Sequence, residues 1–108
     1  MSLSTHVLNA MTGRPATGVA VRLDSWTDTG WTVAAEGSTD ADGRIGDLGS
    51  PPAGRHRITF DTGGYFAALG TATFYPEVSV VFEVTDAAQH HHVPLLLGPY
   101  GYTTYRGS

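Results

Sequence analysis

The sequence contains no cysteine, which removes disulfide frameworks, thiolate nucleophiles and thiolate metal sites together. It contains no lysine either. The six positive charges are all arginine, scattered from Arg14 to Arg106 without a cluster, under a net charge of −4. That distribution argues against nucleic acid as the main partner. No apolar run approaches the roughly 18 residues of a membrane span. The opening MSLSTHVLNAMTG lacks the basic start and apolar centre of a secretory leader. A cytoplasmic protein with no membrane partner is expected. Helix-period apolar patterning is also nearly missing, which leaves strands to build the fold.

The 108 residues, 41% hydrophobic and 15% charged, have the composition of an ordinary globular chain. A single domain over residues 1–108 is expected, large enough for a real core but with little surface to spare for a deep private pocket. Walls borrowed from a second subunit would supply one. Short runs rich in β-formers recur between Gly, Pro and Asp clusters, at Leu3 to Asn9, Val19 to Trp26, Trp31 to Gly37, Arg55 to Asp61, Glu77 to Thr85, His90 to Leu97 and Tyr102 to Tyr105. In the second run Val19, Val21, Leu23 and Ser25 alternate with Ala20, Arg22, Asp24 and Trp26, so the odd positions are expected to face the core. Tyr65 to Leu69, closed by Gly70, is the one helical stretch. The reading is all-β: a Greek-key sandwich of about eight strands with one short helix.

His90-His91-His92 is the sharpest chemical feature, since alternation along a strand puts His90 and His92 on one face and His91 on the other. Three readings compete: a catalytic imidazole, a zinc site, and polar strand surface. His6, between Thr5 and the apolar pair Val7 and Leu8, taken alone reads more readily as a structural histidine than as a functional one. Arg44 follows the turn Asp42-Gly43, where its planar fork of donors can project toward an anionic or carbonyl-rich ligand, or simply into water. The ending Tyr102 to Ser108 is polar, and a chain terminus is most often disordered.

Taken together the pieces carry a resemblance. His6-Val7-Leu8-Asn9, Asp42-Gly43-Arg44 and the ending HVPLLLGPYGYTTYRGS make the chain similar to 5-hydroxyisourate hydrolases of the transthyretin-like family. The terminal YRGS separates such hydrolases from hormone-carrying transthyretins of similar fold. The resemblance implies a two-sheet sandwich of eight strands. It also implies a homotetramer, a dimer of dimers with active sites at the dimer–dimer interface. By the same resemblance the functional groups fall on His6, Arg44, His92 and the tetrapeptide Tyr105, Arg106, Gly107 and Ser108. His91 stands where an aromatic residue, often tyrosine, is common in the family.

The implied reaction is hydrolysis of 5-hydroxyisourate, in urate breakdown, to 2-oxo-4-hydroxy-4-carboxy-5-ureidoimidazoline. His92, with His6 nearby, is expected to activate water. Arg44 offsets the oxyanion, the Ser108 hydroxyl or carboxylate orients water or an imidazole, and Tyr105, Arg106 and Gly107 contact the ligand. No cofactor or catalytic metal is expected, although zinc held by His6, His90 and His92 is left open. The rival readings are a carrier of small aromatic ligands without catalysis, a zinc-dependent hydrolase and a purely structural β-module.

Overall fold

A two-residue alternation gives each strand one apolar face to bury, and burial is satisfied when two such faces meet. The computed structural model describes residues 2–108. In chain order its elements are β1 (Leu3–Asn9), β2 (Arg14–Pro15), β3 (Ala20–Thr27), β4 (Gly30–Ser38), β5 (Arg44–Ile45), β6 (Gly54–Phe60), α1 (Thr62–Ala68), β7 (Val78–Val84), β8 (His91–Leu97) and β9 (Tyr102–Thr104). They form two sheets. The first runs β2-β1-β8-β9, with β5 pairing β1, and the second runs β4-β3-β6-β7. The all-β sandwich expected from the sequence is the architecture found, and no helix among the described residues is long and apolar enough to cross a membrane.

The core lies between the sheets. Leu3, Val7, Leu23, Ile58, Phe60 and Leu95 are sealed there, and Phe66 of α1 closes one side. Within β1 the alternation is strict: Leu3, Thr5, Val7 and Asn9 point inward, while Ser4, His6 and Leu8 stand half-buried on the outer face of the first sheet. A slip of one residue would bury His6 and expose Leu3, so the apolar pattern itself fixes which face presents the imidazole.

The two shortest strands escaped the sequence reading as pairing partners. Arg14 and Pro15, expected as loop, pair with Asn9 and Leu8, and Arg44 and Ile45 pair with His6 and Thr5 further along the same edge of β1. The helix begins three residues earlier than expected. Asp61 caps it, its carboxylate accepting from the Gly64 N–H at 3.0 Å. Asp24 corrects the expected facing of β3: on an even, outward position it is still only 2% exposed. Arg22 and Arg57 cover it, with a bond of 2.8 Å from Arg57 Nη2, and Arg57 in turn lies over the Trp31 ring at 4.5 Å. Paired charge and stacked aromatic surface make that carboxylate tolerable out of water.

Candidate active site on the outer face of the first sheet

The site starts from pairing register. His6 of β1 stands directly opposite Arg44 of β5, and Ser4 of β1 stands opposite His92 of the parallel strand β8. Strands about 4.8 Å apart with a rise of about 3.3 Å per residue put these four side chains on one patch of one face. His6, Arg44 and His92, selected from the sequence as separate candidates, are therefore brought together.

Arg44 is launched by a turn built for it. Asp40, rather than the Asp42 that the sequence brought forward, organises the turn: its carboxylate accepts from the N–H groups of Asp42 at 2.9 Å and Arg44 at 3.0 Å. Gly43 has φ +74°, and a Cβ there would collide with the Val7 carbonyl oxygen, so only glycine allows the turn to lie flat on β1. The Val7 N–H then donates to the Gly43 carbonyl at 2.7 Å, locking the turn to the strand that carries His6.

His92 is held on two edges of its ring. On one, Nδ1 lies 2.7 Å from the Ser4 hydroxyl. On the other, Cδ2 lies against the backbone of Gly107, where any Cβ would overlap the ring. The Gly107 N–H donates to the His92 carbonyl at 2.9 Å and forms an isolated bridge with that residue. The remaining edge, Cε1 and Nε2, is the part of the imidazole available to a ligand. Burial lowers the pKa of His92 below the ordinary imidazole value. Its neighbours His6 and His90 push the same way and Arg44 adds to them, against a Ser4 main-chain hydrogen bond that favours the charged form. A ring kept neutral near neutral pH and offering a free nitrogen is equipped to take a proton.

Gly107 packs on His92, and Tyr105 and Arg106 line a cleft of about 240 Å³ with Phe82, His91, His92, Val93 and Thr104. The Arg106 guanidinium is engaged by Gln89 Oε1 at 3.1 Å. Ser108 is exposed and follows directly on Gly107. His91 is buried on the inter-sheet side, opposite His90 and His92 as alternation required.

One residue was missed. Ser4 joins the site through its hydroxyl, and His90, exposed just before β8 and already singled out with His92 from the sequence, reaches that hydroxyl with Nε2 at 2.9 Å. The signal for Ser4 lay in the sequence as the residue two before His6, on the same face. The zinc set left open at His6, His90 and His92 needs correction: no group of three His, Cys, Asp or Glu side chains among the described residues is arranged to hold a metal ion. The Ser4 hydroxyl instead engages one ring nitrogen each of His90 and His92.

A larger, open depression of about 740 Å³ lies elsewhere, against the second sheet between Arg22, Glu36, Asp61 and Glu77. It contains no histidine, and nothing links it to this chemistry.

Comparison with known proteins places this geometry in context. Residues 3–107 match the HIUase/Transthyretin family. A protein of Salmonella dublin named 5-hydroxyisourate hydrolase is 49% identical over 98% of this chain and 80% of its own length. The solved structure of Klebsiella pneumoniae 5-hydroxyisourate hydrolase superposes with a TM-score of 0.89, at 37% identity over the whole of both chains. Sea bream transthyretin in complex with thyroxine reaches a TM-score of 0.93, also at 37% identity, covering 99% of this chain and 95% of that one. Backbone likeness alone therefore does not divide catalyst from carrier, and the side chains on the first sheet must.

Proposed function

The chain belongs to the HIUase/Transthyretin family and hydrolyses 5-hydroxyisourate, and we propose that His6, Arg44, His92 and the tetrapeptide Tyr105 to Ser108 carry the reaction. The observation that supports this most is the His92 ring, pinned on two edges, held neutral, and sharing one sheet face with His6 and Arg44.

In this reading water attacks a ring carbonyl of the substrate. Its oxygen bonds to the carbonyl carbon while Nε2 of His92 takes its proton. Arg44, whose planar fork suits carbonyl and oxyanion oxygens, offsets the charge that develops. The ring amide bond then breaks, and the proton on His92 passes to the departing nitrogen, giving 2-oxo-4-hydroxy-4-carboxy-5-ureidoimidazoline. His6 lies beside the base and contacts the substrate. Ser108 orients water through its hydroxyl, and Tyr105, Arg106 and Gly107 complete the contacts, with Arg106 contributing backbone because its guanidinium is engaged by Gln89. The reaction needs no cofactor.

One transthyretin-like domain over residues 1–108 carries this activity, in the cytoplasm, as a homotetramer with its sites between dimers. Half-buried Leu8 and exposed Leu96 share the outer face of the first sheet with the site, and apposition of two such faces would cover them and wall in the substrate.

Following the ultraviolet absorbance of 5-hydroxyisourate, generated in place from urate by a urate oxidase, tests the reading. Accelerated decay in the presence of this protein supports it. Unchanged decay with ligand still bound would return the chain to the carrier class.

A further inference from the structure

A serine hydroxyl has one proton to give and can accept others. The Ser4 hydroxyl stands between two imidazoles, 2.7 Å from Nδ1 of His92 and 2.9 Å from Nε2 of His90. With both rings neutral, the single hydroxyl proton can serve only one of them, so at least one ring donates to Oγ; where the hydroxyl gives its proton to the other, two orders are open. If His90 donates, the Ser4 proton goes to Nδ1 of His92, the His92 proton sits on Nε2, and the open edge of the ring has no lone pair. If His92 donates from Nδ1, the Ser4 proton goes to His90 and Nε2 of His92 is bare.

Resting on the hydrolase reading above, we infer that Ser4 and His90 are positioning residues that hold His92 in its Nδ1–H form, so that its open Nε2 is the base. With Nδ1 on Ser4 and Gly107 against the Cδ2 edge, Cε1 and Nε2 are the atoms of the ring left open. Neither Ser4 nor His90 touches the reacting atoms. When water gives its proton to Nε2, the Nδ1–H stays on Ser4 and the imidazolium is stabilised through an unbroken chain of donors. His90, exposed at the outer end, supplies the acceptor that aims the Ser4 hydroxyl away from Nδ1.

His56 shows that the same side-chain pair serves elsewhere with the opposite sense. Its Nδ1 lies 2.9 Å from the Ser25 hydroxyl, but its Nε2 donates to the Pro52 carbonyl at 2.7 Å, so Ser25 must give its proton to the ring. What differs at Ser4 is that a second imidazole engages the hydroxyl itself, whereas at His56 a carbonyl engages the far ring nitrogen.

Nitrogen NMR of the free protein, with ring nitrogens labelled, reads the order without any substrate and so stands apart from the hydrolase reading. Wild type at a pH where His92 is neutral is expected to show a pyridine-like Nε2. Ser4→Ala, and to a smaller degree His90→Phe, are expected to move the population toward the Nε2–H form. With substrate, Ser4→Ala is expected to lower kcat by at least about tenfold with KM within about twofold, and Ser4→Thr, which keeps the hydroxyl, to recover most of the loss. A wild-type His92 protonated on Nε2, or a Ser4→Ala enzyme with undiminished kcat, would overturn the inference.

Discussion

The backbone of Gly107 lies so close to the Cδ2 edge of His92 that a methyl group at that position would overlap the ring. Sequence similarity alone gives no reason for a glycine at position 107. The reason is steric: the terminal strand segment must come within hydrogen-bond distance of β8 while the imidazole lies across it.

Gly107→Ala is accordingly expected to displace His92 and to lower kcat/KM by on the order of 100-fold, the scale of loss that follows a shift of about 1 Å in a reacting group. Thermal unfolding should change little, because the residue lies outside the core. Steady-state kinetics beside a melting curve checks both halves.

Gly43→Ala acts one step further back. The φ of +74° and the contact with the Val7 carbonyl make alanine strained there, so the turn must lift from β1 and carry Arg44 away from His6. A loss of about 1–3 kcal/mol in stability together with a rise in KM is expected, measured by denaturant unfolding and kinetics. Arg44→Lys keeps the turn and the charge but not the fork, and is expected to remain impaired while folding normally.

His56 provides a control for the histidines. It is 2% exposed, both ring nitrogens are partnered, and it stands on β6 in the second sheet. His56→Ala should cost roughly 2–4 kcal/mol through a cavity and two unpaired groups. Per folded molecule its turnover should equal wild type, as seen by activity corrected for the folded fraction.

The lowered pKa of His92 has two consequences of stated sign. The base stays neutral to lower pH than a free imidazole, so the acid limb of kcat/KM is expected to fall below about pH 6.5. His6→Asn, which removes the largest of the charge contributions, should move the His92 titration up when followed by NMR. For stability, the unfolded chain binds a proton between its own value of about 6.5 and the lower native one. The His92 contribution is therefore intact above about pH 6.5 and is lost as pH falls toward the native value.

Much of the fold was legible because period-two alternation and turn residues are local signals. Val21 and Leu23 declared their faces directly, as did the three consecutive histidines. Asp24 did not, because its burial depends on Arg57 arriving from β6 and Trp31 from β4. The pairing of β5 with β1 was likewise invisible, since two residues carry no period, yet that pairing sets Arg44 beside His6. Within the site, single residues could be selected for their chemistry or by resemblance, but the Ser4 link between His90 and His92 joins positions 86 and 88 residues apart and exists only through strand register.

The central claim is that His92, without a metal, is the base. The most direct measurement follows 5-hydroxyisourate absorbance in chelator-treated buffer with wild type and with His92→Asn, each shown to be folded. Accelerated decay by wild type and a loss of about 100-fold or more in the variant is the expected result. Equal decay with both proteins would contradict the assignment and transfer the base to His6, and acceleration that vanished for wild type in chelator would contradict the metal-free chemistry.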